Sequence, residues 1–513
     1  MSHREIELKL LADAAAIRRL RRLPWLKTLQ RGKATTRALR SVYFDTPDRR
    51  LSDARIALRV RSIGHQRIQT VKTAGTSLGG GASDRGEWES EITGDTPDQA
   101  ALLATDLADL FTDDVVTALQ PAMATEVKRT AMTIDLDGAE IEIAFDQGEI
   151  VAGTAREPIS EVELELKSGS RQILYELALR LHAAAPMRIG HVNKAERGFR
   201  LLRDEPLRPS KWTGSTVSHG LSAAAAFQSI ARGCIDHLAI NEDCLLSTGN
   251  AEAVHQIRVA LRRLRSAMSL FGALIAGPET DALKDELRWL LKQLGPARDT
   301  DVFLSEIIEP VVAVFSGEPA LTALHRAFAE EKAAHYQTAY AALNAPRFTA
   351  LLLELGRWIE GGAWLAATSD EASPLSQPIE SLAAALLERR DRKLAKAGKK
   401  LAKLPPADRH AVRILGKKLR YALEFFAPLY SDKRSRKALE TLAELQDRLG
   451  VLNDIAVAEQ RLNARLDEGG DARHGWAAGL VVGWHSAQTR KLLKQAEEPW
   501  DRWLDITRPW HTG

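Results

Sequence analysis

The chain has 513 residues, about three typical domain lengths, so two or more folding units are expected. Hydrophobic residues at 45% and charged residues at 27% exclude wholesale disorder. A net charge of +3, from 71 basic and 68 acidic residues, excludes a polyanion partner chosen by global basicity alone, so any such partner must be read from local charge.

From the N-terminus the first rhythm is two. Charged and apolar residues alternate in Glu5-Ile6-Glu7-Leu8-Lys9-Leu10, Leu58-Arg59-Val60-Arg61, Glu87-Trp88-Glu89, Glu140-Ile141-Glu142-Ile143 and the long run Glu161 to Lys167. Each run puts its charges on one face of a strand and its apolar residues on the other. Turn-forming breaks separate the runs at Thr46-Pro47-Asp48, Gly75 to Gly86, Asp137-Gly138 and Arg156-Glu157-Pro158, and short helical stretches fall near 12–23, 97–111 and 170–185. The triple glycine Gly79-Gly80-Gly81 lacks the Lys-Ser/Thr of a phosphate loop and reads as a loose hairpin connection. About eight strands with ionic faces can close into a barrel whose interior side chains are charged. A lumen lined by cations and carboxylates suits a polyphosphate and the divalent metal that accompanies it.

These blocks carry a resemblance. Glu5-Ile-Glu7-Leu-Lys9 is similar to the ExExK signature of the CYTH family, the triphosphate tunnel metalloenzymes. Tyr43-Phe44-Asp45-Thr46-Pro47, Leu58-Arg59-Val60-Arg61, Val71-Lys72-Thr73, Glu161 to Lys167 and Lys194-Ala-Glu196-Arg197-Gly198 resemble its later blocks in order, over residues 1–205. The resemblance implies phosphate-binding cations at Lys9, Arg59, Arg61, Lys72, Arg129 (with Lys128 as its alternative) and Lys194. It implies metal-binding or water-activating acids at Glu5, Glu7, Asp146, Glu163 and Glu165, with Glu161 as the register alternative to Glu165 and Mg²⁺ or Mn²⁺ as the metal. The catalytic set it implies is Glu5, Glu7, Lys9, Lys72 and Glu163. Glu87, Glu89 and Glu142 share strand faces with these acids and read as lumen partners of arginine.

Residues 206–215 (PLRPSKWTGS) read as a linker, and beyond them the period is 3.6. The helical half, 216–510, repeats itself at about 216–370 and 371–510: His255-Gln-Ile-Arg258-Val-Ala-Leu-Arg262-Arg263-Leu-Arg265 recurs 155 residues later as His410-Ala-Val-Arg413-Ile-Leu-Gly-Lys417-Lys418-Leu-Arg420. In each copy one face is basic without interleaved acids, His255, Arg258, Arg262 and Arg265 in the first and His410, Arg413, Lys417 and Arg420 in the second, opposite an apolar face. Arg389 to Arg420 holds thirteen Lys or Arg against Asp391 and Asp408, a density that an anionic ligand would neutralise. These paired helices resemble the CHAD domain, which implies polyphosphate binding through His255, Arg258, Arg262, Arg263, Arg265, His410, Arg413, Lys417, Lys418 and Arg420. Gly295, matched by Gly450, reads as a helix end, and Asp299 or Asp301 as the cap of the next helix. Trp476, Trp484, Trp500, Trp503 and Trp510 read as helix-packing anchors.

The expected architecture is therefore α+β: an N-terminal eight-stranded antiparallel barrel followed by an all-α domain of two repeated bundles. The whole chain resembles a CYTH–CHAD fusion, similar to bacterial inorganic triphosphatases. That resemblance implies hydrolysis of inorganic triphosphate or short polyphosphate, with thiamine triphosphatase, adenylate cyclase or a non-catalytic polyphosphate scaffold as the alternatives. Nucleic acid is disfavoured, because neither a docking motif nor exposed aromatics accompany the charge. Cys234 and Cys244 lack disulfide or metal spacing, the N-terminus lacks an apolar leader core, and no run of about 18 apolar residues occurs. A cytoplasmic protein, associated through its ligand with polyphosphate granules, is the expectation.

Overall fold

The computed structural model describes residues 4–214, 216–467 and 472–511. Two compact units divide the chain: Met1–Arg208 with Asn344–Gly362, and Pro209–Leu343 with Ala363–Gly513.

In the first unit the alternating segments become strands β1 (Arg4–Leu11), β2 (Gln30–Asp45), β3 (Ala57–Ile63), β4 (Gln66–Lys72), β5 (Thr76–Gly79), β6 (Ala82–Ile92), β7 (Gln120–Leu136), β8 (Ala139–Ala152), β9 (Ala155–Ser168) and β10 (Arg188–Ile189). Eight of them follow one another around a ring, β1-β9-β8-β7-β2-β3-β4-β6, and the β1–β6 pairing closes it into an antiparallel barrel. The short strands β5 and β10 extend the sheet beside β6 and β1. The apolar phase of each strand (Leu8 and Leu10, Leu58 and Val60, Ile141 and Ile143, Val162 and Leu164) is buried on the outer face, under helices and turns. The ionic phase is thereby forced inward.

Two connections aim lumen residues. At the end of β2, Asp45 Oδ1 accepts from the backbone N–H of Thr46 (2.8 Å) and Leu51 (2.9 Å), and Oδ2 from Ser52 (3.1 Å). This carboxylate ties off the Arg50–Asp53 turn that leads into β3 and its two arginines. Before the Lys194–Arg203 helix, Asn193 caps the Glu196 N–H (2.9 Å), which makes Lys194 the first helical residue. A Cβ on Gly198 would lie 2.6 Å from the sulfur of Met123, so glycine is what lets this helix lie flat on β7.

The helix Pro346–Gly361, distant in sequence, belongs to this first unit. It packs on the Arg171–Ala184 helix: the Tyr175 ring fills the space beside Gly356, and the Tyr175 hydroxyl donates to Gly79 O (2.5 Å). The triple glycine is therefore not a loose connection. Gly79, Gly80 and Gly81 all have positive φ (76°, 59° and 91°), and a Cβ on Gly80 would meet Leu352 O at 2.5 Å.

The second unit is helical, and its principal helices keep the offset read in the sequence. The helices Ala251–Leu270 and Pro406–Phe426 begin 155 residues apart, and Pro278–Val302 is answered by Asp432–Asp467. Gly295 does not end a helix. The Pro278–Val302 helix runs through Gly295, Pro296, Asp299 and Asp301, as Asp432–Asp467 runs through Gly450 and Asp454. The glycines serve close approach instead: a Cβ on Gly295 would lie 2.9 Å from Arg258 Nη1, and one on Gly450 would lie 3.4 Å from Arg413 Nη2. Trp500, Trp503 and Trp510 are buried anchors, whereas Trp476 is 50% exposed.

The glycine hairpin yields a test. Gly80→Ala imposes a left-handed backbone on an alanine whose Cβ faces a carbonyl oxygen, and should cost roughly 1–3 kcal/mol in chemical denaturation. Gly64→Ala, equally left-handed but with nothing near its Cβ, should lose less.

Candidate functional site

The barrel encloses a cavity of about 890 Å³. Lys9, Arg59, Arg61, Lys72, Arg129 and Lys194, together with Glu5, Glu7, Asp146, Glu163 and Glu165, all line it. Arg129 faces inward, and its neighbour Lys128 is exposed. Along the strands and at Lys194, eight carboxylates face eight cations. Glu161 completes the acids from behind, fully buried.

Most of these charges neutralise one another. Lys194 Nζ sits among Asp146 (2.8 Å), Glu161 (2.5 Å) and Glu163 (2.7 Å), Lys9 lies 3.2 Å from Glu163, and Arg129 forks onto Asp146 and Glu163. Arg85 reaches Glu5 (2.6 Å) and Glu7, while Lys72 bridges Glu5 (2.8 Å) and Glu87 (2.7 Å). Burial pushes the Glu163 carboxyl up, but Lys194, Lys9 and Arg129 outweigh it and hold the group well below the carboxylate range. Burial lowers Lys194, and Glu161, Glu163 and Asp146 more than reverse it. Glu7 differs: burial and the Glu163 charge raise it despite Arg85 and Lys9. Glu165 is raised to about 7, chiefly by burial and also by Glu5 and Glu142.

One wall is short of acids. Arg61 donates to Ser41 Oγ (3.3 Å) and has no carboxylate partner among the described residues, and burial with the Arg59 and Arg129 charges lowers it to about 10. Arg59 has only distant acids, Glu89 at 3.8 Å and Glu87 at 3.9 Å, and its Nε is buried without a hydrogen-bond partner. Tyr43 lies against Arg59, whose charge draws its phenol down against the upward effect of burial.

Asp146, Glu161 and Glu163 place one oxygen each within 4.8 Å of one another, an all-carboxylate set that fits a hard divalent cation. Sequence reasoning had Asp146 and Glu163 in the metal set and held Glu161 only as an alternative to Glu165. The structure gathers Glu161 with them and leaves Glu165 beside Lys167. Arg85 was missed, although it shares the strand face of Glu87 and Glu89; Gly86 and Asp84 broke the alternation there.

In the helical unit the two basic stripes converge. Arg262 on the first helix lowers both Arg413 and Lys417 on the second, although burial is the larger effect in each. His255 is brought down to about 4 by burial and then by Arg298 and Arg262. The Nε atoms of Arg258, Arg262, Arg413 and Arg420 and the Nδ1 of His255 are buried without hydrogen-bond partners. Arg258 pairs with Asp299 (3.0 Å), and His410 bonds Asn453. Arg263 stands apart: it is buried, paired with Glu424 and stacked on Trp212 (4.9 Å) and Tyr421 (4.8 Å), so it holds the fold instead of facing a ligand. Arg265 and Lys418 are exposed to one side, near Arg390 and Lys393.

A family model described as the CYTH domain matches residues 3–199, and one described as the CHAD domain matches residues 229–463. The chain is 34% identical over 166 residues, 32% of its length, to an inorganic triphosphatase of Haemophilus influenzae; the match spans 46% of that relative, about half its length. An uncharacterized protein of Mycobacterium tuberculosis is 26% identical over 458 residues, covering 84% of this chain and 82% of its own. The crystal structure of the CHAD domain from the plant Ricinus communis superposes with a TM-score of 0.52 at 29% identity, covering 59% of this chain and 98% of that one. No helix among the described residues is long and apolar enough to cross a membrane.

The convergent stripes give a stability test. Burial and the neighbouring arginines lower Lys417 to about 7, so below that pH the folded protein bears the cost of its charge. Lys417→Met should raise the stability of the ligand-free protein by about 1–2 kcal/mol at pH 6. The gain should shrink as pH rises from about 7 towards the ordinary lysine value, where the unfolded chain also loses the proton. Thermal melts across that range read it directly.

Proposed function

For a chain that carries a CYTH domain followed by a CHAD domain, we propose metal-dependent hydrolysis of inorganic triphosphate or short linear polyphosphate inside the barrel, with the helical unit binding polyphosphate through its convergent basic faces. The observation that carries the first part is the pairing of an acid-poor arginine wall, Arg59 and Arg61, with a carboxylate cluster in one enclosed lumen. An arginine wall alone would suit any anion. Carboxylates packed opposite it would repel a polyphosphate unless divalent cations came between, and Asp146, Glu161 and Glu163, joined by Glu5, are the residues that would hold them. Bound Mg²⁺ or Mn²⁺ would neutralise phosphate oxygens and polarise the reacting phosphorus.

The chain's own groups supply the rest. Arg59 and Arg61, with Lys72, Lys9, Arg129 and Lys194 as they exchange carboxylate for phosphate partners, fix the substrate in line and stabilise equatorial charge. A water oxygen attacks a terminal phosphorus, and the bridging P–O bond breaks with its electron pair on the departing pyrophosphate. The water gives a proton to a lumen carboxylate and then to the leaving oxygen. Glu7 suits that relay because burial raises it above an ordinary carboxylate.

Phosphate release from tripolyphosphate should fall by roughly 100-fold or more in Glu7→Gln and in Lys72→Ala, with the fold retained by circular dichroism. Near-wild-type turnover in both would sink the reading. A panel including thiamine triphosphate and ATP separates the alternatives that use the same tunnel.

In the helical unit, Arg262→Gln with Lys417→Gln should weaken long-chain polyphosphate binding by about tenfold or more. Because an anion restores the Lys417 proton, binding at pH 8 should take up protons, seen calorimetrically as a dependence on buffer ionisation heat.

A further inference from the structure

The lumen has two unlike ends. Strand register orders its residues along the axis: Lys9, Glu7, Glu5 on β1; Asp146, Ala144, Glu142 on β8; Glu161, Glu163, Glu165 on β9; Ala57, Arg59, Arg61 on β3. Because every neighbour is antiparallel, Ala57, Lys9 and Asp146 lie towards one end, and Glu142, Glu165 and Lys167 towards the other. The Lys194–Arg203 helix crosses the first end. It starts among the carboxylates of β8 and β9, and its last turn reaches the Arg50–Asp53 turn, where Arg203 Nη2 donates to Ser52 Oγ (3.3 Å).

Around that end four further arginines line the cavity: Arg55, Arg200, Arg203 and Arg208. Arg55, Arg200 and Arg208 have no ion-pair partner among the described residues. Arg203 has only Glu205 at 3.7 Å, and its Nε is buried without a hydrogen-bond partner. The acids nearby, Glu196 and Glu205, are exposed. Basic residues in a last helical turn often do no more than offset the helix dipole. Here Arg55 and Arg208 lie outside that helix, and the set faces a cavity continuous with the lumen.

We infer that this arginine mouth is an extension subsite for the phosphates of a linear polyphosphate longer than three units, entering by this end because the arginines without carboxylate partners gather here, whereas Glu142 and the Glu165–Lys167 pair line the other. The inference rests on the tunnel reading above and gives it a direction: the chain lies with its surplus phosphates over Arg55, Arg200, Arg203 and Arg208. The hydrolytic step is unchanged; water adds across a phosphoanhydride bond inside the barrel, releasing orthophosphate and a chain one phosphate shorter.

Kinetics of the full-length protein with tripolyphosphate and pentapolyphosphate test it. Arg203→Gln, and separately the double variant Arg200→Gln with Arg208→Gln, should lower kcat/KM for pentapolyphosphate about tenfold more than for tripolyphosphate, mainly through KM. The difference should narrow as salt rises. The more exposed double variant guards against a folding defect in Arg203→Gln. Equal losses on both chains, or no loss on either, overturn the subsite while leaving the tunnel reading standing. Absence of tripolyphosphate hydrolysis in the unaltered protein overturns both.

Discussion

The first unit depends on one constraint: closing an eight-stranded sheet turns its ionic faces inward, away from bulk water. Each lumen carboxylate must then be matched by a cation or by a ligand, because removing one partner of a buried pair strands the other. The paired acids and bases are therefore a resting arrangement as much as a binding site. Lys194 alone answers three carboxylates, and Arg85 answers two. Such pairs contribute little net stability against an apolar core, which argues that the lumen is kept ionic for what enters it.

The helical unit meets a similar problem with different means. A long arginine lying across a neighbouring helix needs room that a side chain would occupy, and glycine at 295 and 450 makes that room in both copies. Carrying the helix through these glycines costs about 1 kcal/mol each relative to alanine, which makes sense only if the arginine placement matters. The same offset thus links a glycine and an arginine that are remote in sequence within each copy.

These cases mark what the sequence could show. Alternation placed Glu5, Glu7, Lys9, Arg59, Arg61 and Glu163 in the lumen because side-chain direction in a strand is set by parity alone. Parity failed at Arg85, where flanking Asp84 and Gly86 gave no apolar contrast. It also could not choose among Glu161, Glu163 and Glu165, which share a face and differ only in depth along the barrel. Local punctuation misled at Gly295, since a glycine opened for a distant arginine looks like a helix end. The Pro346–Gly361 helix joining the first unit was invisible for a related reason: its recognition surface is Tyr175 and a glycine hairpin more than 160 residues away. Arg263 sits in the basic run yet points to the opposite side of its helix, which helical spacing does register once each residue is placed by angle.

The cations then sort into two kinds. Where carboxylates surround a buried base, as at Lys194, Arg129 and Arg85, the electrostatic gain exceeds the burial cost and the group titrates above its ordinary value. Where burial and like charges prevail, as at Arg61 and Lys417, the group titrates lower, at about 10 and about 7. Geometry agrees, since neither Arg61 nor Lys417 has an ion-pair partner among the described residues. Groups of the first kind hold the apo architecture together and must trade partners when a ligand binds. Those of the second kind carry unrelieved repulsion that an anion removes, so binding energy is concentrated on them. Both units contain the second kind, and in each it lies where residues far apart in sequence converge, which is why a chain of nearly balanced charge can still present sharply polarised sites.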